Sequence, residues 1–213
     1  MLFQSVIGGM VAGDGVLHPL RHIGGVVADP LQILGHHDEI QPQLAGVGVC
    51  GPIVTLLSSF ASLVGLGGAP ILAMRLGEGR RDEAEKVVSN GFMTLLALAA
   101  VLTSVFLLFK GQLLMWFGAS EDTFGYADTY LTIYTSGTVF ALLAAGLNSY
   151  LIAQGFSGLG MLTVMLGAVM NIALDPVFIF LLHMDVAGAA VATVISQMTS
   201  CGVVLLSLIH ISE

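Results

Sequence analysis

One carboxylate stands inside a long apolar run, at Asp175 in the stretch 170–180, and Pro176 follows it directly. Asn171 lies four residues earlier, so on a helix the two polar side chains share one face. Because proline has no N–H, Pro176 would leave the carbonyl of Ile172 without its helical hydrogen bond. An ionisable side chain at membrane depth is costly and marks a functional site. A carboxylate, an amide oxygen and a free carbonyl together predict a site for a cation or a proton.

The composition around this motif is that of an integral membrane protein. Of 213 residues, 56% are hydrophobic and 9% are charged, with a mean hydropathy of +0.94, whereas soluble domains carry about 25% charged residues. Six Lys and Arg residues are too few for a nucleic-acid surface. The sequence has no glycine-rich loop followed by Lys, no His-Glu-x-x-His and no Gly-x-Ser-x-Gly. We therefore expect an all-α, polytopic helical bundle in a lipid bilayer, with no catalytic residues, no enzymatic activity and no nucleic-acid partner.

Five apolar segments must position the motif. The predicted helices cover about 44–74, 87–109, 128–152, 161–182 and 186–205. The last four are close to the 20 or so residues that a membrane span needs, and the first is longer. Pro52, Pro70 and the glycines between 65 and 68 predict that the first helix is kinked or discontinuous. The connection 75–86 holds four of the six basic residues, which places it in the cytoplasm by the positive-inside rule. Residues 111–128 contain acids and no Lys or Arg, and are expected to form an outer loop.

Polar side chains on the third predicted helix are candidates for cavity lining. Tyr126, Tyr130 and Tyr134 recur every fourth residue. The first two are interpreted as members of an interfacial aromatic belt, and Tyr134, one turn deeper, as a candidate cavity-lining residue. Asn148 and Gln154 are further candidates. Most other hydroxyl residues on this helix are expected to form hydrogen bonds between helices.

Both ends of the chain depart from the membrane pattern. Residues 1–43 hold four of the six histidines and only interrupted apolar runs. They are interpreted as a poorly formed first helix, a polar extension, or a stretch read in the wrong frame. Residues 206–213 back-translate to CTG TCT CTT ATA CAC ATC TCC GAG, which resembles the end of a transposase-based sequencing adapter. We therefore expect a non-native tail and a truncated reading frame.

Six short segments follow one another along the chain: Leu-Ala-Gly-Val-Gly at 44–48, Gly-Gly-Ala-Pro at 67–70, Arg-Leu-Gly-Glu-Gly at 75–79, Ala-Gln-Gly at 153–155, Asn-Ile-Ala-Leu-Asp-Pro at 171–176 and Gly-Ala-Ala-Val-Ala-Thr at 188–193. In this order and spacing they resemble the multidrug and toxic compound extrusion (MATE) family. The resemblance covers roughly residues 44–205 and implies helices two to six of a twelve-helix protein, most of one six-helix N-terminal lobe. It implies an antiporter that exchanges Na⁺ or H⁺ for organic cations, in the cytoplasmic membrane of a bacterium or archaeon. The C-terminal lobe of the same chain would be its missing partner.

The same resemblance implies a cation site. Asn171, Asp175 and Thr193 match family positions that bind the coupling ion, and Ala189 matches a position that contributes its backbone carbonyl. No metal other than a Na⁺ at Asp175 and no organic cofactor is expected. The aspartate of the family's first helix has no clear counterpart, since Val-Ala-Asp-Pro at 27–30 departs from the family's Val-Asp-Thr.

Two alternatives to export remain open at this point. One is a lipid-linked oligosaccharide flippase of related fold, which a basic central cavity would favour. The other is a non-transporting membrane scaffold or an inert fragment, in which Asp175 would only be a helix-packing acid paired with Asn171.

Overall fold

The computed structural model describes residues 30–212, with side chains at 41–179 and 181–210. This part of the chain contains six α-helices and no strand. They are α1 (Pro30–Gly77), α2 (Arg81–Trp116), α3 (Glu121–Ser136), α4 (Thr138–Ala153), α5 (Ser157–Pro176) and α6 (Asp185–Ser212), with a π-helical turn, Val177–Leu181, between α5 and α6. The predicted all-α fold is confirmed. Most of the atypical stretch 1–43 lies outside the described residues, and the proposed foreign tail continues α6 as far as Ser212.

One compact unit runs from Pro42 to Glu213, and its helices are suited to a bilayer. Four helical segments of the described chain are long and apolar enough to cross a membrane: Gln41–Gly77, Arg81–Trp116, Ser157–Ile179 and Asp185–His210. The α3–α4 pair, bent by 55° at its break, makes a fifth if it counts as one span. Large apolar side chains are widely exposed, including Leu108 and Trp116, as expected where lipid or another apolar surface covers them.

The predicted outer loop 111–128 is wrong, because most of it is helical. Helix α2 continues to Trp116 and α3 already begins at Glu121. Lys110 follows the predicted helix 87–109, and its Nζ is 2.8 Å from the Asp128 carboxylate and donates to the Thr132 hydroxyl at 3.0 Å. Lys110 therefore does not mark a helix end facing water. Its charge is neutralised within the bundle by an acid on the following helix.

Of the two forms predicted for the first helix, kinked or discontinuous, the discontinuous one is wrong. Helix α1 stays helical through Pro52 and Pro70. The break falls instead within the third predicted helix, at Gly137, which separates α3 from α4. The Gly137 N–H still reaches the carbonyls of Ile133 and Tyr134, at 3.3 and 3.1 Å, so the bend leaves no unpaired donor there.

The glycines of α1 serve close packing. Tyr150 on α4 is 2% exposed and donates its hydroxyl to the Val64 carbonyl at 3.0 Å. A methyl group added at Gly68 of α1 or at Gly91 of α2 would collide with the Tyr150 ring. Gly67, by contrast, has open space where its Cβ would be. The two crowded glycines let three helices meet around one aromatic side chain.

Four charged side chains form a cluster of ion pairs at the connection between α1 and α2. Arg80 pairs with Glu78 and, at 3.1 Å, with Glu83, whose other oxygen lies 3.3 Å from Arg75. The hydrogen bond from Arg80 holds the pKa of the Glu78 carboxyl below its usual range. The four side chains are 34–49% exposed, so solvent weakens these ion pairs and each contributes little to stability.

Candidate cation-binding site

Asp175 lies where the helical winding changes. Helix α5 ends at Pro176, and the π-helical turn Val177–Leu181 follows at once. A five-residue hydrogen bond from Leu182 N–H to the Val177 carbonyl, at 3.0 Å, defines this wider turn. The missing N–H of Pro176 explains why the α-helical pattern stops at this point. The acid thus sits on the last regular turn of α5, at an irregularity of the kind often found at functional sites.

The structure brings the predicted ligand residues together. Asp175 is 6% exposed, and among the buried side chains of the described chain no other is an Asp, Glu, Lys, Arg or His. The Asn171 Nδ2 donates to Asp175 Oδ1 at 3.2 Å and lies 3.4 Å from Thr193 Oγ1. The Thr193 hydroxyl donates to the Ala189 carbonyl at 2.8 Å. All four predicted positions therefore belong to one hydrogen-bonded cluster across α5 and α6.

This donor set suits a small hard cation or a proton. The Asp175 carboxylate supplies negative charge. The Thr193 hydroxyl accepts from Asn171 Nδ2 at 3.4 Å and donates to the Ala189 carbonyl, so its oxygen keeps one further lone pair for a ligand. Asn171 faces the acid with its amide nitrogen, which stabilises an ionised carboxylate. A rotation of that amide would present its oxygen instead. The cluster can therefore exchange an internal hydrogen bond for a cation, or accept a proton on Asp175.

Tyr130 adjoins this cluster, so its assignment to an interfacial belt is wrong. It is 7% exposed and stacks on Tyr134, with ring centroids 6.1 Å apart and planes within 10°. Its hydroxyl lies near the Thr193 side chain and Asp175. The four-residue spacing of the tyrosines was the available signal, since it places both rings on one helix face.

A cavity of about 340 Å³ lies next to the cluster. Asn171 and Thr193 line it; Asn171 also donates to Asp175, and Thr193 lies beside Asn171. Tyr134 and Asn148 line it as predicted, but Gln154 does not: it is half-buried at the C-terminal cap of α4. The cavity's lining contains no charged side chain. Its polar members are Ser58, Tyr134, Asn148, Thr163, Asn171, Thr193, Ser196, Gln197 and Ser200.

Comparison with known proteins identifies the family. The family model described as MatE matches residues 39–177. The chain belongs to the MatE family. The matched range includes Asn171 and Asp175, whereas Thr193 lies beyond it.

Named relatives agree with this assignment. The chain is 31% identical over 154 residues to the multidrug export protein MepA of Staphylococcus haemolyticus, covering 72% of this chain and 34% of that protein. It is 26% identical over 157 residues to MepA of Staphylococcus aureus, covering 74% and 35%. The chain thus spans about a third of the length of these curated relatives.

Solved structures show the same fold. A MATE protein in the bent conformation superimposes with a TM-score of 0.74 at 28% identity, covering 76% of this chain and 36% of that one. An inward-facing multidrug resistance MATE family transporter of the MOP superfamily gives 0.75 at 27% identity, covering 77% and 37%. The predicted resemblance is confirmed, and the chain is a multi-pass membrane protein.

Proposed function

We propose that this chain supplies the ion-binding lobe of an antiporter that exports organic cations in exchange for Na⁺ or H⁺. The observation that carries the proposal is the buried Asp175, held by Asn171 and adjacent to a polar, uncharged cavity. A membrane-buried acid beside a change in helical winding is how secondary transporters bind coupling ions. The name multidrug export protein, borne by the MepA relatives, supports an organic-cation substrate.

Exchange would operate through two ligands with neighbouring binding sites: the coupling ion at Asp175 and the organic cation in the cavity. With Asp175 ionised, its charge attracts an organic cation into the cavity through Asn171 and Thr193. Binding of Na⁺ or a proton at Asp175 cancels that charge and withdraws the shared side chains, so the organic cation is released. A second lobe would complete the transport path, and the exposed apolar faces of the described helices suit such a lobe and the lipid. The proposed setting is the cytoplasmic membrane, with the 75–86 connection on the cytoplasmic side.

Ion-dependent thermal unfolding of the purified chain in detergent tests the coupling site. A ligand at ten times its Kd stabilises by about 1.4 kcal/mol, which raises the Tm of a chain of this size by roughly 3–6 °C. We expect such a rise with Na⁺ or on mild acidification, and we expect Asp175→Asn and Asp175→Ala to abolish it. The control is Asp122→Asn, which removes an exposed acid and should keep the rise. An undiminished Tm rise in both Asp175 variants would refute the assignment of Asp175 as the coupling-ion site.

The lining of the cavity argues against the flippase alternative, whereas the scaffold alternative needs a measurement. A flippase for an anionic lipid-linked oligosaccharide requires a basic cavity, and the lining described above holds no Arg or Lys; we do not propose it. A scaffold would also show the Asn171–Asp175 hydrogen bond. It would show no ion-dependent stabilisation, so the same measurement separates it from a transporter.

A further inference from the structure

The C-terminal end of α2 carries the most exposed large apolar side chain in the described part of the chain. Trp116 is the last residue of α2 and is 83% exposed. Its neighbours Met115 and Phe117 are exposed as well, whereas Leu114 is fully buried. The last turn of α2 therefore packs on the bundle through Leu114 and directs the indole ring away from it. A large apolar ring with one N–H donor is suited to a boundary between an apolar and a polar phase.

The length of α2 places this end outside the hydrocarbon core of a bilayer. The charged first turns of α2 end at Lys86, and from Val87 to Trp116 the helix rises by about 44 Å, whereas the hydrocarbon core is about 30 Å thick. The other end tolerates some of this excess in a polar layer, because Ser89 and Asn90 are exposed polar residues.

The excess length can be compared with the thickness of the headgroup layer. Divided equally between its ends, the excess of α2 is about 7 Å at each end when the helix is upright. It is about 2 Å at each end when the helix is tilted by about 40°, the upper limit for membrane helices. The headgroup layer is about 5–8 Å thick on each side. Trp116 therefore falls within this layer over the usual range of tilt.

Charged residues on both sides of Trp116 along the chain agree with this level. Lys110 is paired with Asp128 at 2.8 Å, so its charge is compensated where α2 leaves the hydrocarbon. Glu121 and Asp122, at the start of α3, are exposed. Because exposed carboxylates are costly in hydrocarbon, the start of α3 belongs in water or among headgroups. The connection 117–120 is only four residues long and keeps Trp116 near the level of these acids.

We propose that Trp116 docks the end of α2 on the phospholipid headgroup layer of the leaflet opposite the 75–86 connection. The ring lies where the acyl chains meet the glycerol backbone, and the indole N–H donates to an ester or phosphate oxygen of the lipid. Through the connection 117–120, the same contact sets the depth at which α3 begins. This contact with lipid depends neither on ion binding at Asp175 nor on a ligand in the cavity.

The test uses the intrinsic fluorescence of Trp116, which is the single tryptophan of the chain. The purified full chain is reconstituted into phosphatidylcholine vesicles that contain one of two quenching lipids. One lipid carries a nitroxide on its headgroup, and the other carries bromine near the methyl end of its acyl chains. We expect the headgroup nitroxide to quench Trp116 more strongly than the bromine does.

A matched variant moves the fluorophore towards the membrane centre. Leu108 is 79% exposed and lies about 12 Å before Trp116 along the helix axis. In the double variant Leu108→Trp/Trp116→Phe, the order of the two quenching efficiencies should therefore reverse. The measurement on the wild-type chain stands by itself if this variant does not fold.

Three results would overturn the inference. Stronger quenching of Trp116 by the bromine would place the ring in the hydrocarbon. No quenching of Trp116 by either lipid would show that it lies in water or is covered by protein, such as a second copy of the chain. The same order of quenching at positions 108 and 116 would contradict the length argument. None of these results bears on ion exchange at Asp175, which is tested by thermal unfolding.

Discussion

Gly68 and Gly67 are adjacent in α1, yet the structure predicts opposite effects when each is replaced by alanine. At Gly68 the new Cβ would lie 2.5 Å from Tyr150 Cε1 and 2.7 Å from Tyr150 Cζ. These are atoms of a ring that is 2% exposed and has no free space to move into. At Gly67 nothing lies within 4 Å of the new Cβ.

The magnitudes follow from packing and helix propensity. Overpacking a filled core costs about 1–3 kcal/mol, and displacing Tyr150 also strains its hydrogen bond to Val64, worth about 1 kcal/mol. Alanine gains about 1 kcal/mol over glycine in a helix. Gly68→Ala should therefore destabilise by roughly 1–3 kcal/mol net, whereas Gly67→Ala should be neutral or stabilise by up to about 1 kcal/mol.

The assay is equilibrium unfolding of both variants in the same detergent, followed by helical circular dichroism. The double variant Gly68→Ala/Tyr150→Leu provides the internal check, because a smaller side chain at 150 makes room for the methyl group. In the Tyr150→Leu background the cost of Gly68→Ala should largely disappear. Equal stability of the two single variants, or an undiminished cost in that background, would refute the packing argument.

Three other predictions concern the site and its connections. Thr193→Val, which keeps the shape and removes the hydroxyl beside Asn171, should reduce the ion-dependent Tm rise by at least half, read in the same unfolding assay. Lys110→Met and Asp128→Asn should each destabilise, and a double-mutant cycle should give a coupling of about 0.5–1 kcal/mol that falls with added salt; additive effects would contradict the ion pair. Glu78→Gln should lower Tm slightly at pH 7. Because the folded-state pKa of Glu78 is lowered, its stabilising contribution is present above the unfolded value near 4.5 and is lost as pH falls through the folded value, so the variants should converge in acid.

Local spacing was enough to predict the centre of the site. Asn171 and Asp175 are four residues apart, and the i,i+4 geometry of a helix brings them together whatever the rest of the chain does. Thr193 required the family resemblance, because its contact with Asn171 joins two helices. Its place in the observed cluster depends on how α5 and α6 pack.

Features that depend on a distant partner were missed. Lys110 follows an apolar run, and without knowledge of Asp128 such a lysine indicates a helix end. Tyr130 suits an interfacial belt until the helix that buries it is known.

The positions of glycine and proline residues were a poor guide to where the helices break. Pro52 and Pro70 suggested a discontinuity in α1, but membrane helices tolerate proline when neighbours satisfy the freed backbone groups. The break at Gly137 leaves room for the Val194 side chain of α6, which would clash with any Cβ at that position. A contact between α6 and the α3–α4 junction cannot be read from the residues around Gly137 alone.

Asn171 donates to Asp175 and also lines the cavity, and this has a thermodynamic consequence. If an ion at Asp175 changes the affinity of the cavity for its ligand by some factor, the ligand must change the affinity for the ion by the same factor. Because one shared side chain joins the two sites, this reciprocity needs no signal carried across the bundle. A fluorescent ligand in the cavity would then report ion binding at Asp175, and an ion titration would measure ligand affinity in return.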